Sequence, residues 1–487
     1  MRRTAFRETE VEDARKRLRA ASFAGSFDRT AMTMFDEPMT SVSASPRATA
    51  RDAAEHRRTA VFDAMAASSS PSAVAVLPAA PTSIRNNDVE HDYRQDSDFF
   101  YLTGFDEPHS LLVLDARERR TTLFVRARDR DREVWDGPRA GLEGAKQIYG
   151  ADEAYVIGEL DDKLPKLLEN RQRIYYRLGF DRKLDDRLLA AIDRVRARQR
   201  TGVTAPTEIV DHGVILNEMR LRKSPIEAET MRRAARITRE AHELAMARAR
   251  PGMREFEIEA LLLDTFRRRG SERAAYGSIV GSGPNACILH YRKNDRCIQP
   301  GDLVLIDAGC ECDYYASDVT RTFPVGGVFS REQQAIYEIV LEAQLEGIAA
   351  VRPGTTLDAI HRVSVEVITR GLLRIGLLSG EAEKIIETGD YKRFFMHRTS
   401  HWLGMDVHDV GAYFVDGKPR LLEAGFALTV EPGIYVAPDE AGVPSEWRGI
   451  GVRIEDDVVV KESGAEVLTD GIPKTVAELV RACEAGS

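Results

Sequence analysis

The sequence predicts an α/β domain with a mixed β-sheet, followed by an α+β domain. Two observations predict this organisation. Short strand patterns alternate with helical patterns over residues 46–210, as in domains that cover a sheet with helices. Residues 211–487 begin with long amphipathic helices and then change to β-branched strand patterns with helices between them. A length of 487 residues is also compatible with roughly two to four domains.

The elements of the first domain follow in order along the sequence. AAEHRRTAVFDAM has helical spacing, and SAVAVLPAA is the pattern of a short buried strand. SLLVLDARE and TTLFVRAR are strand patterns joined by a charged turn, and EAYVIGEL, LDDKLPKLLENR and IYYRLGF continue the alternation. Residues 1–45 combine a charged piece with a Ser/Pro/Ala-rich stretch, so we predict a flexible extension there.

The second domain begins with a helix whose start is recognisable in the sequence. Ser224 suits the N-cap, Pro225 the first helical position and Glu227 the third. The helical pattern breaks at Pro251 and then resumes. Strand patterns follow in GDLVLIDAG, DVTRTFPV, FALTVEPGIYV and GVRIEDDVVV, separated by helical patterns in REQQAIYEIVLEAQLEGIAAV and TLDAIHRVSVEVITRGLLRIG.

Composition and charge exclude several classes of partner. The chain has 69 Lys and Arg against 78 Asp and Glu, a formal net charge of −9, whereas nucleic acid and anionic membranes need a basic surface. No apolar run reaches the ~18 residues that a membrane span needs. Five cysteines are a sparse, odd set, typical of a reducing compartment. Since the N-terminal residues also lack a signal-peptide pattern, we predict a cytoplasmic protein.

Carboxylates recur at the strand patterns of the second domain. Asp307 follows four apolar residues in LVLIDAG, and Asp318 lies eleven residues later in a second predicted strand. Antiparallel pairing of these strands would bring the two acids together, and close carboxylates repel unless they share a proton or a cation. Glu431 ends the strand in LTVEPG. Glu455 is predicted inside a strand, where alternation places Arg453 on the same face.

Histidines are concentrated in the same domain. His397, His401 and His408 lie within twelve residues, and His290 follows an apolar segment. Any one of them alone would be interpreted as a core histidine bonded to backbone, and any one acid as a salt-bridge partner. Together, acids in apolar strands and a histidine cluster fit two divalent metal ions about 3.5–4 Å apart, bridged by water or hydroxide.

Five segments of the second domain carry a family resemblance. IVGSGPNACILHY, DAGCECDYYASDVTRTFPV, MHRTSHWLGMDVHDVG, LTVEPGIYV and WRGIGVRIEDD resemble the five signature blocks of the pita-bread-fold (M24) metallopeptidases, in that family's order. YRQDSDFFYLTGFDEPHSLLVL and EVWDGPRAG are similar to the N-terminal domain of the aminopeptidase P and prolidase branch. The resemblance implies a creatinase/prolidase-like first domain and a pita-bread catalytic domain.

The resemblance also implies a set of metal ligands. Asp318 and Glu455 match the positions that bridge both ions, Asp307 would bind one ion alone, and His401 with Glu431 would bind the other. Members of the family usually hold manganese and sometimes cobalt or zinc. Mixed oxygen and nitrogen ligands suit Mn²⁺ and tolerate the alternatives, so we predict two divalent ions with Mn²⁺ as the first choice.

The expected reaction is attack on a peptide bond by a metal-bridging hydroxide. Glu431 is the candidate general base, because a carboxylate beside the bridging water can take its proton. The resemblance implies that His290 and His408 hydrogen-bond the substrate and the tetrahedral intermediate. It also implies that His397 lines a pocket for proline, so the expected partners are peptides with proline at the second position.

Four further residues match substrate-contacting or supporting positions of the family. Tyr276 and Tyr435 match such positions near the pocket, with core packing as the alternative for Tyr276. Arg453 is expected to orient Asp318, to close over the product side, or only to balance a pocket of acids. Trp135 matches a position that reaches a neighbouring subunit's active site, which implies a homodimer or homotetramer, and an ordinary tryptophan is the alternative.

An unusual residue pair and two cysteines lie near the predicted site residues. Arg398-Thr399 stands where the family commonly has Gly-Leu, so we expect an altered pocket width. Cys310 and Cys312 follow Asp307 closely. Thiolates can bind metal, but we interpret both cysteines as small buried residues at the strand turn.

Three functions compete at this point. The leading one is an Xaa-Pro aminopeptidase, because SHWLGMDVHD and YRQDSDFFYLTGF look closer to aminopeptidase P than to prolidase. The second is an Xaa-Pro dipeptidase with the same chemistry. The third is a catalytically inactive binding module on the same scaffold, although such relatives usually lose metal ligands and all five are present here.

Overall fold

The structure, a computed structural model, describes residues 46–67 and 72–485. The predicted extension at residues 1–45 lies outside the described residues. Residues Arg51–Ser487 form one compact unit, which contains almost all of both predicted domains. Within the described ranges, no helix is long and apolar enough to cross a membrane.

The first part of the chain forms one mixed β-sheet with helices around it. Its elements are α1 (Pro46–Ala67), β1 (Ala73–Pro78), β2 (Ile84–Asn86), β3 (Val89–Glu90), α2 (Ser97–Thr103), β4 (Leu111–Asp115), β5 (Arg120–Val125), α3 (Arg130–Asp136), α4 (Gly141–Gln147), β6 (Glu153–Val156), α5 (Leu160–Leu168), β7 (Arg173–Tyr175), α6 (Arg182–Arg196) and β8 (Glu208–Val210). The strand order is β6-β5-β4-β1-β7-β8, with β1 antiparallel to β4 and parallel to β7. The predicted mixed sheet is thus confirmed.

Both faces of this sheet are buried. Val74 and Val76 on β1 belong to an apolar cluster with α5 and α6, whereas Ala75 and Leu77 belong to a second cluster with α1 and α2. This explains why SAVAVLPAA is apolar at nearly every position, since a central strand alternates between two buried faces. The second cluster also includes Leu403, so the sheet supports the segment that carries the histidines.

The second part of the chain combines long helices with small antiparallel sheets. Its elements are α7 (Gly213–Leu221), α8 (Pro225–Arg248), α9 (Glu255–Arg268), β9 (Arg273–Ala274), β10 (Ile279–Ser282), β11 (Leu303–Asp307), β12 (Cys310–Cys312), β13 (Tyr315–Ala316), β14 (Thr320–Pro324), α10 (Arg331–Ala349), α11 (Leu357–Arg374), α12 (Ala382–Thr388), β15 (Phe414–Val415), β16 (Lys418–Pro419), β17 (Ala427–Val430), β18 (Gly433–Val436), β19 (Ile450–Arg453), β20 (Asp456–Val460), β21 (Ala465–Val467) and α13 (Val476–Glu484). Ser224 and Glu227 form the expected capping box, each side chain accepting a hydrogen bond from the other's backbone N–H.

Three strands position the first predicted pair of acids. β10, β11 and β14 form an antiparallel sheet in which Asp307, the last residue of β11, faces Thr320 at the start of β14. The predicted antiparallel pairing is confirmed, although Asp318 lies two residues before β14 and not within it. Both acids therefore lie at the same end of this sheet.

A change of strand partner determines where the two glutamates lie. β19 ends at Arg453 and pairs with β18, whereas β20 begins at Asp456 and pairs with β17. The prediction that Glu455 lies inside a strand is therefore wrong, because the chain crosses from one sheet to another at Ile454 and Glu455. Glu431 lies at the matching crossing between β17 and β18. Both glutamates therefore lie where the chain passes from one of these two sheets to the other.

Candidate active site

A cavity of about 590 Å³ opens beside these crossings, a size within the range of small-molecule sites. Two predicted site residues, Tyr435 and Trp135, do not line it. The other ten do: Tyr276, His290, Asp307, Asp318, His397, His401, His408, Glu431, Arg453 and Glu455. The fold thus brings four acids and four histidines from distant segments into one cavity.

Three of the predicted ligands stand at metal-ligand spacing. One ligand atom from each of Asp318, His401 and Glu455 lies within 4.8 Å of the others. His401 Nε2 is 3.4 Å from Asp318 Oδ2 and 3.5 Å from Glu431 Oε1. Because His401 Nδ1 lies 3.0 Å from the carbonyl oxygen of Trp402, its proton is held there and Nε2 can bind a metal.

Asp307 is held from two sides. Arg453 Nη2 donates to Asp307 Oδ2 at 2.5 Å. The hydroxyl of Tyr276 lies 2.7 Å from Asp307 Oδ1 and 2.5 Å from Asp318 Oδ1, so Tyr276 belongs to the site. The expectation that Arg453 orients Asp318 is wrong. Its side chain passes Thr320, which accepts from Nε at 3.0 Å and faces Asp307 across the strand pair, so the guanidinium reaches Asp307 instead.

Burial changes the protonation of these acids. It raises the pKa of Glu431 to about 7 and raises the pKa of Asp307 and of Glu455 above the usual range, and the charge of Asp318 adds to each effect. Without cations, some of these carboxyl groups therefore keep their protons in the folded protein. Divalent ions would supply the missing positive charge, and carboxylate and imidazole ligands suit them. The residues present therefore fit a divalent metal site.

His397 is neutral and is fixed by hydrogen bonds. Its Nδ1 lies 2.8 Å from the carbonyl oxygen of Arg398, and its Nε2 accepts from the hydroxyl of Tyr435 at 3.0 Å. That hydroxyl accepts in turn from Arg453 Nη1 at 3.0 Å. Burial, together with the charge of Arg453, lowers the pKa of His397 to about 3. Tyr435 therefore supports the cavity wall from behind.

His408 and His290 complete the histidine wall. The ring of His408 packs edge-on against that of His401, with centroids 4.5 Å apart. Burial, followed by the charge of His401, lowers the pKa of His408, so it presents a neutral imidazole that can donate one hydrogen bond. His290 is exposed at the cavity surface, within reach of a bound molecule.

The sequence predictions omit two supporting residues. Thr320 Oγ1 donates to Glu455 Oε2 at 2.6 Å, and Asp457 accepts from the backbone N–H of Asp318. Alternation in DVTRTF puts position 320 on the face of position 318, and this signal could have identified Thr320. Asp457 gives a similar signal, because alternation in RIEDD puts position 457 on the face of positions 453 and 455.

Other residues singled out in the sequence lie at or beyond the edge of the site. Trp135 on α3 has 82% of its surface exposed and does not line the cavity of its own chain. Cys310 and Cys312 are buried in β12 and also lie outside the lining. Arg398 does line the cavity, whereas Thr399 is buried and bonds His361 Nδ1 at 2.8 Å.

Sequence comparison identifies relatives of both parts of the chain. Residues 229–462 match the profile of metallopeptidase family M24, and residues 54–175 match that of the aminopeptidase P N-terminal domain. The chain is 44% identical over 428 residues to the Xaa-Pro aminopeptidase of Escherichia coli K12, with 87% of this chain and 96% of that protein covered.

Solved structures agree with the sequence comparison. Aminopeptidase PepP of Pseudomonas aeruginosa superposes with a TM-score of 0.87 at 52% identity, covering 91% of this chain and 99% of its own. Zinc-substituted E. coli aminopeptidase P in complex with product gives a TM-score of 0.87 at 42% identity, covering 90% and 99%. The predicted fold, a creatinase/prolidase-like domain followed by a pita-bread domain, is confirmed. The chain therefore belongs to metallopeptidase family M24, in its aminopeptidase P branch.

Proposed function

We propose that this chain is a metal-dependent Xaa-Pro aminopeptidase, an exopeptidase that removes the N-terminal residue when proline follows it. The observation that carries the proposal is the cavity, in which buried acids and His401 stand at ligand spacing beside neutral His397 and His408. Relatives named Xaa-Pro aminopeptidase, which match over most of their length, support this substrate class.

We assign two divalent ions to the acids and His401. Asp318 and Glu455 would contact both ions, Asp307 would complete the ligands of one, and His401 with Glu431 would complete those of the other. Manganese is the first choice, because it accepts mixed carboxylate and imidazole ligands, with cobalt and zinc as alternatives. Ions bound there would supply Lewis acidity and lower the pKa of a nearby water molecule.

The cavity residues can move the proton and hold the substrate. Glu431 lines the cavity beside His401 and is the carboxylate that would take a proton from the attacking water. His290 and His408 would hydrogen-bond the oxygen that gains charge in the tetrahedral intermediate. His397, held by Tyr435, would form a wall of the proline pocket.

Arg453 and Tyr276 act through their neighbours in this proposal. Both bind Asp307, and Arg453 also binds Tyr435. The guanidinium therefore connects the predicted metal ligands to the histidine of the proline pocket. We assign both residues to positioning.

Peptide length separates this proposal from its alternatives. We expect the metal-loaded enzyme to release the first residue from Xaa-Pro-Xaa tripeptides and longer peptides, but not from matched peptides with alanine at the second position, because the pocket selects the pyrrolidine ring. Chromatography of the products measures both. Cleavage of Xaa-Pro dipeptides without cleavage of tripeptides would indicate the dipeptidase. No hydrolysis of any peptide after Mn²⁺ is added to metal-free protein would favour the inactive binding module.

Metal ions are expected to stabilise the protein more at pH 8 than at pH 5.5. In the metal-free protein, burial raises the pKa of Glu431 to about 7, so this group lowers stability as the pH rises toward 7. Burial opposes the charge of His401, but the hydrogen bond that His401 donates to Asp318 and the charge of Glu431 outweigh it and raise the pKa of His401 to about 9. The stabilising contribution of His401 is therefore present below about pH 6.5 and is lost as the pH rises through 9.

Metal binding offsets the loss of stability that Glu431 and His401 each cause as the pH rises, because both are deprotonated when they bind metal. The gain in Tm on adding saturating Mn²⁺ should therefore be larger at pH 8, as measured by calorimetry on matched metal-free and loaded samples. Glu423→Gln, at an exposed position away from the cavity, should keep the same pH dependence. Equal gains at the two pH values would count against the assignment of Glu431 and His401 as ligands.

Three further properties belong to the proposal. We propose a homodimer or homotetramer, supported by the adjacent Val134 and Trp135, which are both 82% exposed; such an exposed apolar pair is typical of a protein contact. A cytoplasmic location is supported by five cysteines that are all free. The domain boundary at residues 210 and 211 falls between the two matched profiles.

A further inference from the structure

Two arginines line the cavity in addition to the buried Arg453: Arg292 and Arg398. Arg453 is fully engaged by Asp307, Tyr435 and Thr320. The other two differ from it in exposure. The side chain of Arg398 is 61% exposed, and Arg292 is exposed as well. They therefore stand at the solvent end of the cavity, whereas Asp307, Asp318 and Glu455 are buried.

The positive charge of these two arginines is only partly neutralised at the cavity mouth. Arg398 pairs with Asp358, in the first turn of α11, whose side chain is 28% exposed. Arg292 has no hydrogen bond or ion pair within the part of the chain that the structure describes. Arg292, Arg398 and Asp358 together therefore carry a net charge of +1, facing the same cavity as the buried carboxylates.

This separation of charge suits a peptide that enters amino end first. The N-terminal ammonium group would lie toward the acids, and the part that follows proline would lie toward the mouth. A guanidinium presents paired donors that match a carboxylate group, and such charge-assisted hydrogen bonds are stronger than neutral ones. Asp358 holds Arg398 at the cavity wall in the absence of substrate.

We propose that Arg292 and Arg398 form a carboxylate-binding rim that recognises an anionic group on the residue after proline. The inference rests on the proposed function, because it concerns the leaving part of the same substrate. The carboxylate has two possible sources: the terminal α-carboxylate of an Xaa-Pro-Xaa tripeptide, or an acidic side chain at the third position of a longer peptide. The rim would contribute to substrate binding and not to the chemical step, so its loss should raise KM more than it lowers kcat.

Two pairs of peptides test the rim with the metal-loaded enzyme. Ala-Pro-Ala is compared with Ala-Pro-Ala-amide, and Ala-Pro-Glu-amide with Ala-Pro-Gln-amide. We expect wild type to favour the anionic member of at least one pair by about three- to tenfold in kcat/KM, as for a partly exposed charge pair. A preference in the first pair identifies the α-carboxylate, and one in the second pair identifies the side chain. The preference should fall in high salt because screening weakens exposed pairs.

The variants change this preference in opposite directions. The double variant Arg292→Gln and Arg398→Gln should reduce the preference to about one while still hydrolysing the neutral peptides, which shows that the fold is intact. Asp358→Asn removes the competing acid and should increase the preference. Arg374→Gln is the matched control, because Arg374 is 60% exposed and pairs with Glu342 away from the cavity; it should leave the preference unchanged.

The outcomes for the rim and for the proposed function are distinguishable. Equal kcat/KM for both members of both pairs in wild type, or an unchanged preference in the double variant, would overturn the rim. Failure of wild type to hydrolyse any of the four peptides would count against the proposed function instead.

Discussion

Glu431→Gln is expected to lower kcat on an Xaa-Pro-Xaa peptide by about 10²–10⁴-fold, the contribution typical of a general base. The amide keeps an oxygen that can approach a metal but cannot take a proton. Since burial raises the pKa of Glu431 to about 7, the change also removes a group that is unfavourable when ionised. The metal-free variant should therefore unfold at the same temperature as wild type or slightly higher.

The assay for this variant needs saturating Mn²⁺ and a metal count on the same sample, so that loss of base and loss of metal can be told apart. Glu440→Gln is a suitable control, because Glu440 pairs with Arg393 outside the cavity and should retain wild-type kcat. Near-normal turnover by a fully loaded Glu431→Gln enzyme would refute the general-base assignment.

Asp318→Asn is expected to abolish stable metal binding and to lower kcat about 10³-fold or more, because the several kcal/mol that bound metals contribute to catalysis would be lost. Asp318 approaches His401 Nε2 and Tyr276, and its charge raises the pKa of Glu455. Removing that charge relieves repulsion among buried carboxylates. The variant also loses the Asp318–His401 pair, which stabilises the metal-free protein at low pH, so the expected signature is that Mn²⁺ no longer raises its Tm.

The matched control for this variant is Asp313→Asn, in the turn after β12. Asp313 is 62% exposed and pairs with Arg233, so its loss should leave metal content and the Mn²⁺-dependent gain in Tm unchanged. Wild-type metal content and activity in Asp318→Asn would show that this residue is not a shared ligand.

Features that depend on local pattern could be predicted from the sequence. The start of α8 at Ser224 follows from capping chemistry, which involves neighbouring residues only. The pairing of the strands that bring Asp307 close to Asp318 follows from two apolar runs with a short connection. The concentration of acids and histidines in the second domain also predicts a metal site, because it depends on residue types and not on their arrangement.

Features that depend on register and on sheet changes could not be predicted. Of the three expected roles of Arg453, the orientation of Asp318 is wrong, because strand pairing directs the guanidinium along Thr320 to Asp307. Glu455 lies where the chain leaves one sheet for another, and no alternation pattern marks such a crossing. The segment from His397 to His408 has no regular helix or strand within the described residues, so no periodicity could place its side chains.

The sequence also gives no indication of buried ion pairs away from the cavity. Arg321 and Asp456 are both fully buried and form an ion pair at 2.7 Å, which Lys474 extends from the other side of Asp456. Alternation in DVTRTFPV places Arg321 on the same face as the apolar Val319 and Phe323, where a charged side chain is not expected. Its burial becomes intelligible only when β20, which arrives more than a hundred residues later, supplies the opposite charge.

The most direct test of the central claim is a titration of chelator-treated enzyme with Mn²⁺, in which bound metal per chain and turnover of an Xaa-Pro-Xaa peptide are measured on the same samples. The prediction is negligible turnover without metal and full turnover as the second ion per chain binds, since the acids and His401 form a site for two ions. Full turnover with one ion per chain or fewer would contradict the assignment of the cavity as a two-metal active site.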